Sequence, residues 1–449
     1  MTDSLFTLSI PAGSSRRLAV GWLLLALYSL IGAGVVVILI LLARTPLIHG
    51  LIPWTGSFKT ALVIHVDLSV LVWFLSFAGL LASLNLRERG GWVGFMALGI
   101  SFTGALLITF SPFLGVDAPY MNNYVPVLEN KAFFLGIGLF LTGTAIMAAF
   151  SLIASRPTEG WTKGSGAIQF GLRTGLVILL LSIGSWVWSF VTMPQGLFGE
   201  IYYEALFWGG GHILQFTHTQ FVIVAWLCLA SASGGQSGLT PRVAAMLFLL
   251  GALPVLAAPI LHAKFLPGDP GYQAGFADLM KYGGGVAALP AGLAGVLAWR
   301  SSNRENPFRH LRLALLLSIL LFGVGGVIGF LIHGINVTIP SHYHGSIVSV
   351  TVAYMGLTYY LLPKFGFRQP DVGWAVWQLL LYGGGSLLHV FGLAWSGMLG
   401  VQRKTAGAAQ GLETLPKQMA MGLTGAGGLI AVIGGILFLV VCYRSLRNR

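Results

Sequence analysis

The sequence is short of charged residues. Of its 449 residues only 8% are Asp, Glu, Lys or Arg, whereas a soluble domain carries about 25%. Hydrophobic residues make up 56% of the chain and the mean hydropathy is +0.83. No hydrophilic stretch is long enough to form a separate soluble domain. These features exclude a water-soluble enzyme or binding module, and they indicate a polytopic membrane protein.

Cysteine is almost absent. Cys228 and Cys442 both fall inside apolar runs, which excludes a disulfide framework, a cysteine zinc site and a CxxCH haem attachment motif. The net charge of +12 does not require nucleic acid as a partner. About two thirds of the 25 lysines and arginines fall on one set of loops, and the positive-inside rule places those loops and both termini in the cytoplasm.

Apolar runs long enough to cross a membrane account for most of the chain. They predict an all-α membrane protein that forms one integral domain over residues 1–449. The first run is too long for a signal peptide and is interpreted as an uncleaved span. The predicted spans are 19–43, 60–85, 91–112, 131–154, 170–193, 204–231, 242–263, 275–299, 312–335, 341–363, 373–399 and 421–443.

Glycine is abundant, with 62 residues and triplets such as Gly209–Gly211 and Gly383–Gly385. A glycine-rich phosphate loop would need a GxGxxG sequence after a strand, and none is present. We therefore expect the glycines to allow close packing between helices.

The tetrapeptide Ser341-His342-Tyr343-His344 begins the tenth run. Ionisable side chains at the end of a membrane-spanning helix are costly in free energy and are functional candidates. Residues at positions i and i+2 of a helix lie about 200° apart, so His342 and His344 are predicted to serve two different sites. Imidazole is the commonest protein metal ligand and a usual axial ligand of haem.

Other histidines are predicted to lie at the same depth in the membrane as this tetrapeptide. With the predicted orientation, six of the ten histidines lie in one layer of the outer half of the membrane, where chance placement would scatter them. One buried histidine is usually a structural residue, but six in one layer indicate metal binding. The six are His65, His212, His262, His342, His344 and His389.

The order of these histidines resembles the catalytic subunit (subunit I) of the haem-copper oxidase superfamily, which includes oxygen reductases and nitric oxide reductases. The resemblance lies in twelve spans, with histidines in spans 2, 6 and 7 and a His-x-His in span 10. The loop 122–128, Asn-Asn-Tyr-Val-Pro-Val-Leu, resembles the outer loop after span 3. The segment beginning at His389 and followed by Arg403-Lys404 resembles the motif of span 11.

The resemblance implies two haems. His65 and His344 would be the axial ligands of a low-spin haem that passes electrons. His342 would be the proximal ligand of a high-spin haem whose open face takes the substrate. Arg403 and Lys404 would pair with haem propionates at the outer surface.

The resemblance also implies a non-haem metal, copper or iron, bound by His212 and His262. The family normally has two adjacent histidines in span 7, but this chain has His262-Ala263. A catalytic metal usually keeps three protein ligands. Gln215, three residues after His212, is a candidate weak oxygen ligand, and a carboxylate such as Glu204 is an alternative.

The oxygen reductases also use a tyrosine beside this metal, either four residues after the span-6 histidine or earlier in span 7. The first position is Phe216 and span 7 has no tyrosine, while Tyr272 and Tyr282 follow it. Splitting O₂ without a phenol is difficult, whereas coupling two NO molecules needs only two electrons. The sequence therefore favours a nitric oxide reductase, with a divergent oxygen reductase as the alternative.

Two functions from other classes are alternatives. One is a non-catalytic haem subunit for electron transfer or gas sensing, and another is a transporter, which would leave the histidine layer unexplained. For the enzyme, we expect a small gas as substrate, contact with membrane lipid, and an electron-donating partner of the cytochrome c or cupredoxin type on the outer side. The expected location is a bacterial inner membrane, with the active site towards its outer side.

Overall fold

The computed structural model describes residues 5–44, 58–87, 91–115, 118–302, 308–405 and 407–447. Within these residues, twelve helices are long and apolar enough to cross a membrane, so the predicted all-α membrane fold is confirmed. We number them as spans 1 to 12: Gly13–Ile40, Phe58–Leu84, Trp92–Phe113, Lys131–Ile153, Gly164–Val191, Gly199–Ala232, Pro241–Lys264, Pro270–Ser301, Arg309–Phe330, Thr338–Lys364, Val372–Met398 and Leu415–Arg447.

Two spans contain a π-helical segment, a rare feature that is frequent at functional sites. Span 2 changes from α-helix Phe58–Val66 to π-helix Asp67–Val72 and back to α-helix Trp73–Leu84. Span 11 is built in the same way from Val372–Leu379, Leu380–Gly384 and Gly385–Met398. In each span a candidate histidine lies within a few residues of the π-helical turn, at His65 and His389.

A proline explains the change of helix type in span 7. Span 7 consists of α-helix Pro241–Ala252, a 3₁₀ turn Leu253–Ala257 and α-helix Ala258–Lys264. Pro254 lies at the start of that turn, where its missing N–H interrupts the α-helical hydrogen bonds. Span 8 consists of two consecutive α-helices, Pro270–Gly283 and Gly285–Ser301.

Short elements complete the described chain. Span 3 is the α-helix Trp92–Phe110 ending in a 3₁₀ turn, Ser111–Phe113, and a further 3₁₀ turn is Gly407–Gln410. Strands Pro119–Tyr120 and Val127–Leu128 pair antiparallel in the loop between spans 3 and 4.

Side-chain caps mark where several spans begin. The side chain of Asn130 accepts hydrogen bonds from the N–H groups of Ala132 and Phe133 at the start of span 4. Thr240 and Asp371 cap spans 7 and 11 in the same way. Each cap satisfies an otherwise unpaired N–H of the first turn, which explains why these helices start just after the polar loop residues.

The chain divides into two compact units. One comprises Met1–Gly32, Val63–Cys228 and Gly238–Ala294, and the other comprises Ala33–Leu62, Leu229–Ser237 and Gly295–Arg449. The first unit contains His65, His212 and His262, and the second contains His342, His344 and His389. The single domain predicted from the sequence stays a prediction.

The glycine triplet Gly209–Gly211 of span 6 lies against aromatic side chains. A Cβ at these three positions would collide with Tyr272, Trp186 and Tyr124, in that order. Glycine therefore allows three rings from three other segments to touch the backbone of span 6. The predicted role of the triplet in close packing is confirmed at these positions.

Spans 3 and 4 give a test of this packing. A Cβ at Gly104 would lie 2.6 Å from the carbonyl oxygen of Gly136, whereas nothing lies within 4 Å of a Cβ at Gly99 on the same helix. We expect Gly104→Ala to lower the free energy of unfolding by about 1–3 kcal/mol, as overpacking does, and Gly99→Ala to leave it nearly unchanged. Thermal unfolding of both purified variants checks this, and equal effects would contradict it.

Candidate metal centre

The two histidines of span 10 are held by backbone carbonyls. His342 donates from Nδ1 to the carbonyl oxygen of Gly325 at 2.7 Å, and His344 donates from Nδ1 to that of Pro340 at 2.7 Å. A carbonyl can only accept, so each ring carries its proton on Nδ1 and its lone pair on Nε2. Metal-binding histidines are commonly oriented in this way.

The ring of His342 fits against span 9 because two glycines leave room for it. A Cβ at Gly329 would lie 2.7 Å from Nδ1 and 2.8 Å from Cε1 of His342. A Cβ at Gly325 would lie 2.6 Å from the backbone nitrogen of Ser346. This Gly-x-x-x-Gly spacing allows two membrane helices to approach closely, and here it places a carbonyl within reach of the imidazole.

The ring of His344 contacts span 11 instead. Its centroid lies 4.9 Å from that of His389, and His389 donates from Nδ1 to the carbonyl oxygen of Thr424 at 2.8 Å. The hydroxyl of Ser341 donates to the carbonyl oxygen of Val390 at 2.7 Å, which joins spans 10 and 11. His342 and His344 therefore face different helices, as their spacing predicts.

His65 lies at the end of the first α-helical part of span 2, where the π-helical segment begins. The hydroxyl of Ser69 donates to the carbonyl oxygen of His65 at 2.6 Å. Asp67 is fully buried, and neither carboxylate oxygen has a hydrogen-bond partner among the described residues. The sequence reasoning missed Asp67, although an acid inside an apolar run two residues after a candidate ligand was a usable signal.

His212 is buried in span 6. It donates from Nδ1 to the carbonyl oxygen of Trp208 at 2.8 Å, so its lone pair is on Nε2. Its ring centroid lies 4.7 Å from that of Trp208 and 4.9 Å from that of Tyr124. Aromatic rings on these sides restrict the orientation of the imidazole.

The loop 122–128 explains how Tyr124 reaches His212. The side-chain oxygen of Asn122 accepts hydrogen bonds from the N–H of Tyr124 at 3.1 Å and from that of Val125 at 2.9 Å, which makes a tight turn. Asn123 then binds the carboxylate of Glu204 in span 6 through its side chain and through its N–H at 2.9 Å. The loop is thereby anchored at the outer end of span 6.

The loop 122–128 also contacts Gln215 and Glu204, the two candidates for a third ligand of the non-haem metal. The side-chain amide of Gln215 donates to the hydroxyl of Tyr124 at 3.4 Å, and the carboxylate of Glu204 is occupied by Asn123. Burial and the nearby charge of Glu204 raise the pKa of Tyr124 well above its ordinary value, so the phenol stays protonated. The structure therefore places both candidate ligands against this loop.

His262 of span 7 is held by side chains of span 5. Its Nε2 lies 2.6 Å from the hydroxyl oxygen of Ser185, and its ring stacks on that of Trp188 with centroids 5.0 Å apart and planes at 18°. Phe276 contacts both candidate ligand rings, with centroids 5.3 Å from His262 and 6.3 Å from His212. The structure thus brings the two predicted metal ligands to one aromatic side chain.

A phenol lies beside one candidate ligand. The family's tyrosine positions carry no tyrosine in this chain, but Tyr272 of span 8 is fully buried with its ring centroid 5.5 Å from that of His262. Its hydroxyl lies 2.9 Å from that of Ser189. Because Tyr272 is on another helix, ten residues after His262, no spacing in the sequence signalled this contact.

The basic pair after span 11 has an unusual backbone. Lys404 has φ of +59°, the left-handed region that non-glycine residues seldom adopt. Strained conformations of this kind cluster at ligand-binding sites. Arg403 and Lys404 are both partly buried.

The donor set suits haem better than a complete non-haem metal site. The histidines of span 10 and His212 have the tautomer that presents Nε2 to a metal. Among the described residues, no group of three or more His, Cys, Asp or Glu side chains is arranged to hold a metal ion. His212 and His262, the imidazoles that the resemblance assigns to a non-haem metal, thus have no third ligand of these types grouped with them in the described ranges, and the non-haem site stays a prediction.

No protein-family model matches the chain. It is 30% identical to an uncharacterised protein of Rickettsia prowazekii over 96% of both chains. It is 25% identical to cytochrome c oxidase subunit 1 of Thermus thermophilus, covering 90% of this chain and 79% of that protein. A solved heme-copper terminal oxidase dimer has the same fold, with TM-score 0.75 and 16% identity over 98% of this chain and 85% of that one.

These similarities extend over nearly the whole chain rather than one motif. The relative from Thermus is matched over 79% of its length, and the solved oxidase has the same fold as the twelve-span architecture of this chain. The histidines predicted from the sequence lie in spans 2, 6, 7 and 10 of that architecture. The chain therefore has the fold of a haem-copper terminal oxidase and is similar over most of its length to a cytochrome c oxidase subunit 1.

Proposed function

We propose that this protein is the catalytic subunit of a respiratory enzyme that reduces O₂ to water. The observation that carries this proposal is the buried phenol of Tyr272 beside His262. The names of the Thermus relative and of the solved oxidase, both oxidases, support it. Nitric oxide was favoured by the sequence because the family's tyrosine positions carry no phenol.

Three histidines are proposed to hold two haems: His65 and His344 would hold the low-spin haem, and His342 would hold the high-spin haem. Bound haem would transfer electrons and bind the gas. The hydrogen bonds from Nδ1 of His342 and His344 fix the ring orientation and increase the basicity of Nε2. Arg403 and Lys404 are proposed to pair with the propionates.

His212 and His262 are proposed to bind the non-haem metal, copper or iron, with Gln215 as a weaker third ligand. Phe276, Trp208 and Trp188 surround the two imidazoles with apolar surface. Such surroundings limit access of water and strengthen electrostatic interactions inside the site.

Tyr272 is proposed to supply one proton and one electron. Reduction of O₂ consumes four electrons and four protons and gives two water molecules. A phenol that releases its O–H hydrogen gives one of each and is restored when one electron and one proton return to it. The hydroxyl of Ser189 holds the phenol oxygen in place at 2.9 Å.

Reduction of NO is the second candidate, because the family's span-6 tyrosine position is the buried residue Phe216. A phenol linked to His212 cannot form there. Coupling two NO molecules consumes two electrons and two protons and gives N₂O and water. For either gas, the electron donor is proposed to be a cytochrome c or cupredoxin partner on the outer side of a bacterial inner membrane.

The proposed haem ligands have separate spectral signatures. We expect His344→Ala to remove the low-spin haem spectrum and to keep a CO-reactive high-spin haem, and His342→Ala to do the opposite. Optical spectra with and without CO and a pyridine haemochrome assay check this. Loss of the same band in both variants would refute the assignment of the two histidines to two haems, and a purified protein without haem would refute the enzyme.

The glycine beside His342 gives a second test. We expect Gly329→Ala to push the His342 ring away and to remove most of the CO-reactive haem, while the low-spin spectrum persists. Gly326→Ala is the matched control, since nothing lies within 4 Å of its added Cβ. A normal CO spectrum in Gly329→Ala would show that the His342 ring position does not matter for haem binding.

A substitution at Tyr272 tests whether O₂ or NO is the substrate. With an artificial electron donor, we expect Tyr272→Phe to slow O₂ consumption by about 10²-fold or more, as the loss of a proton donor does, and to change NO consumption little. Tyr282→Phe is the control, because Tyr282 is 68% exposed on the same span. If the unmodified protein consumes NO and negligible O₂, the second candidate replaces the first.

A further inference from the structure

Spans 11 and 12 leave an open groove between them near the end where span 11 begins. Deeper in the helix pair the two spans touch, because a Cβ at Gly434 would collide with the backbone of Tyr382. The groove has a volume of about 360 Å³, which lies within the range of about 300–1,000 Å³ that is typical of ligand sites. Its lining residues are Gly373, Trp374, Trp377 and Leu437.

The aromatic walls of this groove are exposed. Trp374 is 45% exposed and Trp377 is 64% exposed. The two residues are three positions apart on span 11, so they lie on one face of the helix. Tryptophan is enriched where a membrane-spanning helix meets the boundary between hydrocarbon and lipid headgroups. The groove therefore opens towards lipid at the level of that boundary.

A positive charge lies at the outer end of the groove. The guanidinium carbon of Arg444 lies 4.6 Å from the ring centroid of Trp374. Leu437 and Arg444 are seven residues apart on span 12, which places them on one helix face about 10 Å apart along its axis. Apolar lining and charge thus follow one another as the acyl chain and the phosphate of a phospholipid do at a membrane surface.

The other charges around the groove also favour an anion. Residues 364–371 and 443–447 contain one acidic and four basic side chains, Asp371 and Lys364, Arg368, Arg444 and Arg447. Oδ1 of Asp371 accepts a hydrogen bond from the N–H of Trp374 at 2.9 Å, so the carboxylate is held at the start of span 11. The predicted orientation places these residues on the cytoplasmic side, where a membrane leaflet carries anionic lipid.

We propose that this groove binds an anionic phospholipid, with an acyl chain against Trp374, Trp377 and Leu437 and the phosphate against Arg444. The N–H groups of a guanidinium match the oxygens of a phosphate in pairs. A soluble anion would use the arginine and leave the apolar groove unused, and a zwitterionic lipid would bring its ammonium group among basic side chains. The inference needs neither haem nor the non-haem metal, so it is independent of the proposed function.

Fluorescence quenching tests the choice of lipid in the full-length protein. Bromine on an acyl chain quenches a tryptophan that it touches, and a double variant, Trp374→Phe with Trp377→Phe, identifies the emission that comes from the groove. The protein in neutral detergent is titrated with brominated phosphatidylglycerol or brominated phosphatidylcholine. We expect phosphatidylglycerol to quench the groove emission at about fivefold lower concentration, the effect of one basic residue on anionic lipid. Equal quenching by the two lipids would overturn the proposal.

Substitutions of Arg444 test its contact with the phosphate. We expect Arg444→Gln to remove the preference for phosphatidylglycerol and Arg444→Lys, which keeps the charge, to retain most of it. Arg309→Gln is the matched control, because Arg309 is exposed at the predicted cytoplasmic end of span 9 rather than in the groove. An unchanged preference in Arg444→Gln, or its loss in Arg309→Gln, would refute the assignment of the phosphate to Arg444.

Competition distinguishes the lipid from other occupants. We expect inorganic phosphate at the concentration of the lipid to leave the quenching unchanged, because it has no acyl chain to place in the groove. Displacement of the brominated lipid by phosphate would assign the site to a soluble anion. Groove tryptophans that are shielded from both lipids, together with a dimer mass in native mass spectrometry, would assign it to a second copy of the chain. Either result overturns the phospholipid site.

Discussion

An imidazole buried among apolar helices needs a fixed partner for the ring nitrogen that does not bind metal, and the histidines of this protein show how that constraint is met. His212, His342, His344 and His389 each donate from Nδ1 to a backbone carbonyl at 2.7–2.8 Å. In a membrane interior there is no water to replace these bonds. The tautomer of each ring is therefore determined by the backbone before any metal binds.

Glycine makes these carbonyls accessible. The carbonyl of Gly325 reaches His342 because spans 9 and 10 approach without intervening Cβ atoms, and Gly329 leaves room for the ring itself. Gly211 likewise leaves room for the ring of Tyr124, which packs against His212. The high glycine content is thus connected to the orientation of the ligands, and not only to tight packing.

The sequence allowed the twelve spans to be predicted, because long apolar runs are local signals. The placement of six histidines in one layer of the membrane stays a prediction. The divergence of His342 and His344 also followed from helical geometry alone. Ser185 and Tyr272 were not predicted, since their contacts with His262 join residues on different helices at separations of 77 and ten residues. The π-helical turns near His65 and His389 likewise have no signal in composition or spacing.

Span 5 shows why a site cannot be understood from its ligands alone. Three of its serines contact the backbone of span 6, the candidate ligand of span 7 and the phenol of span 8. A helix that moved as one body would therefore displace the surroundings of His212, the ring of His262 and the hydroxyl of Tyr272 together. Because these groups share one rigid element, the orientation of the ligands and the position of the phenol are coupled. A substitution that shifts span 5 would then alter metal binding and proton supply at the same time, even though that span contains no metal ligand.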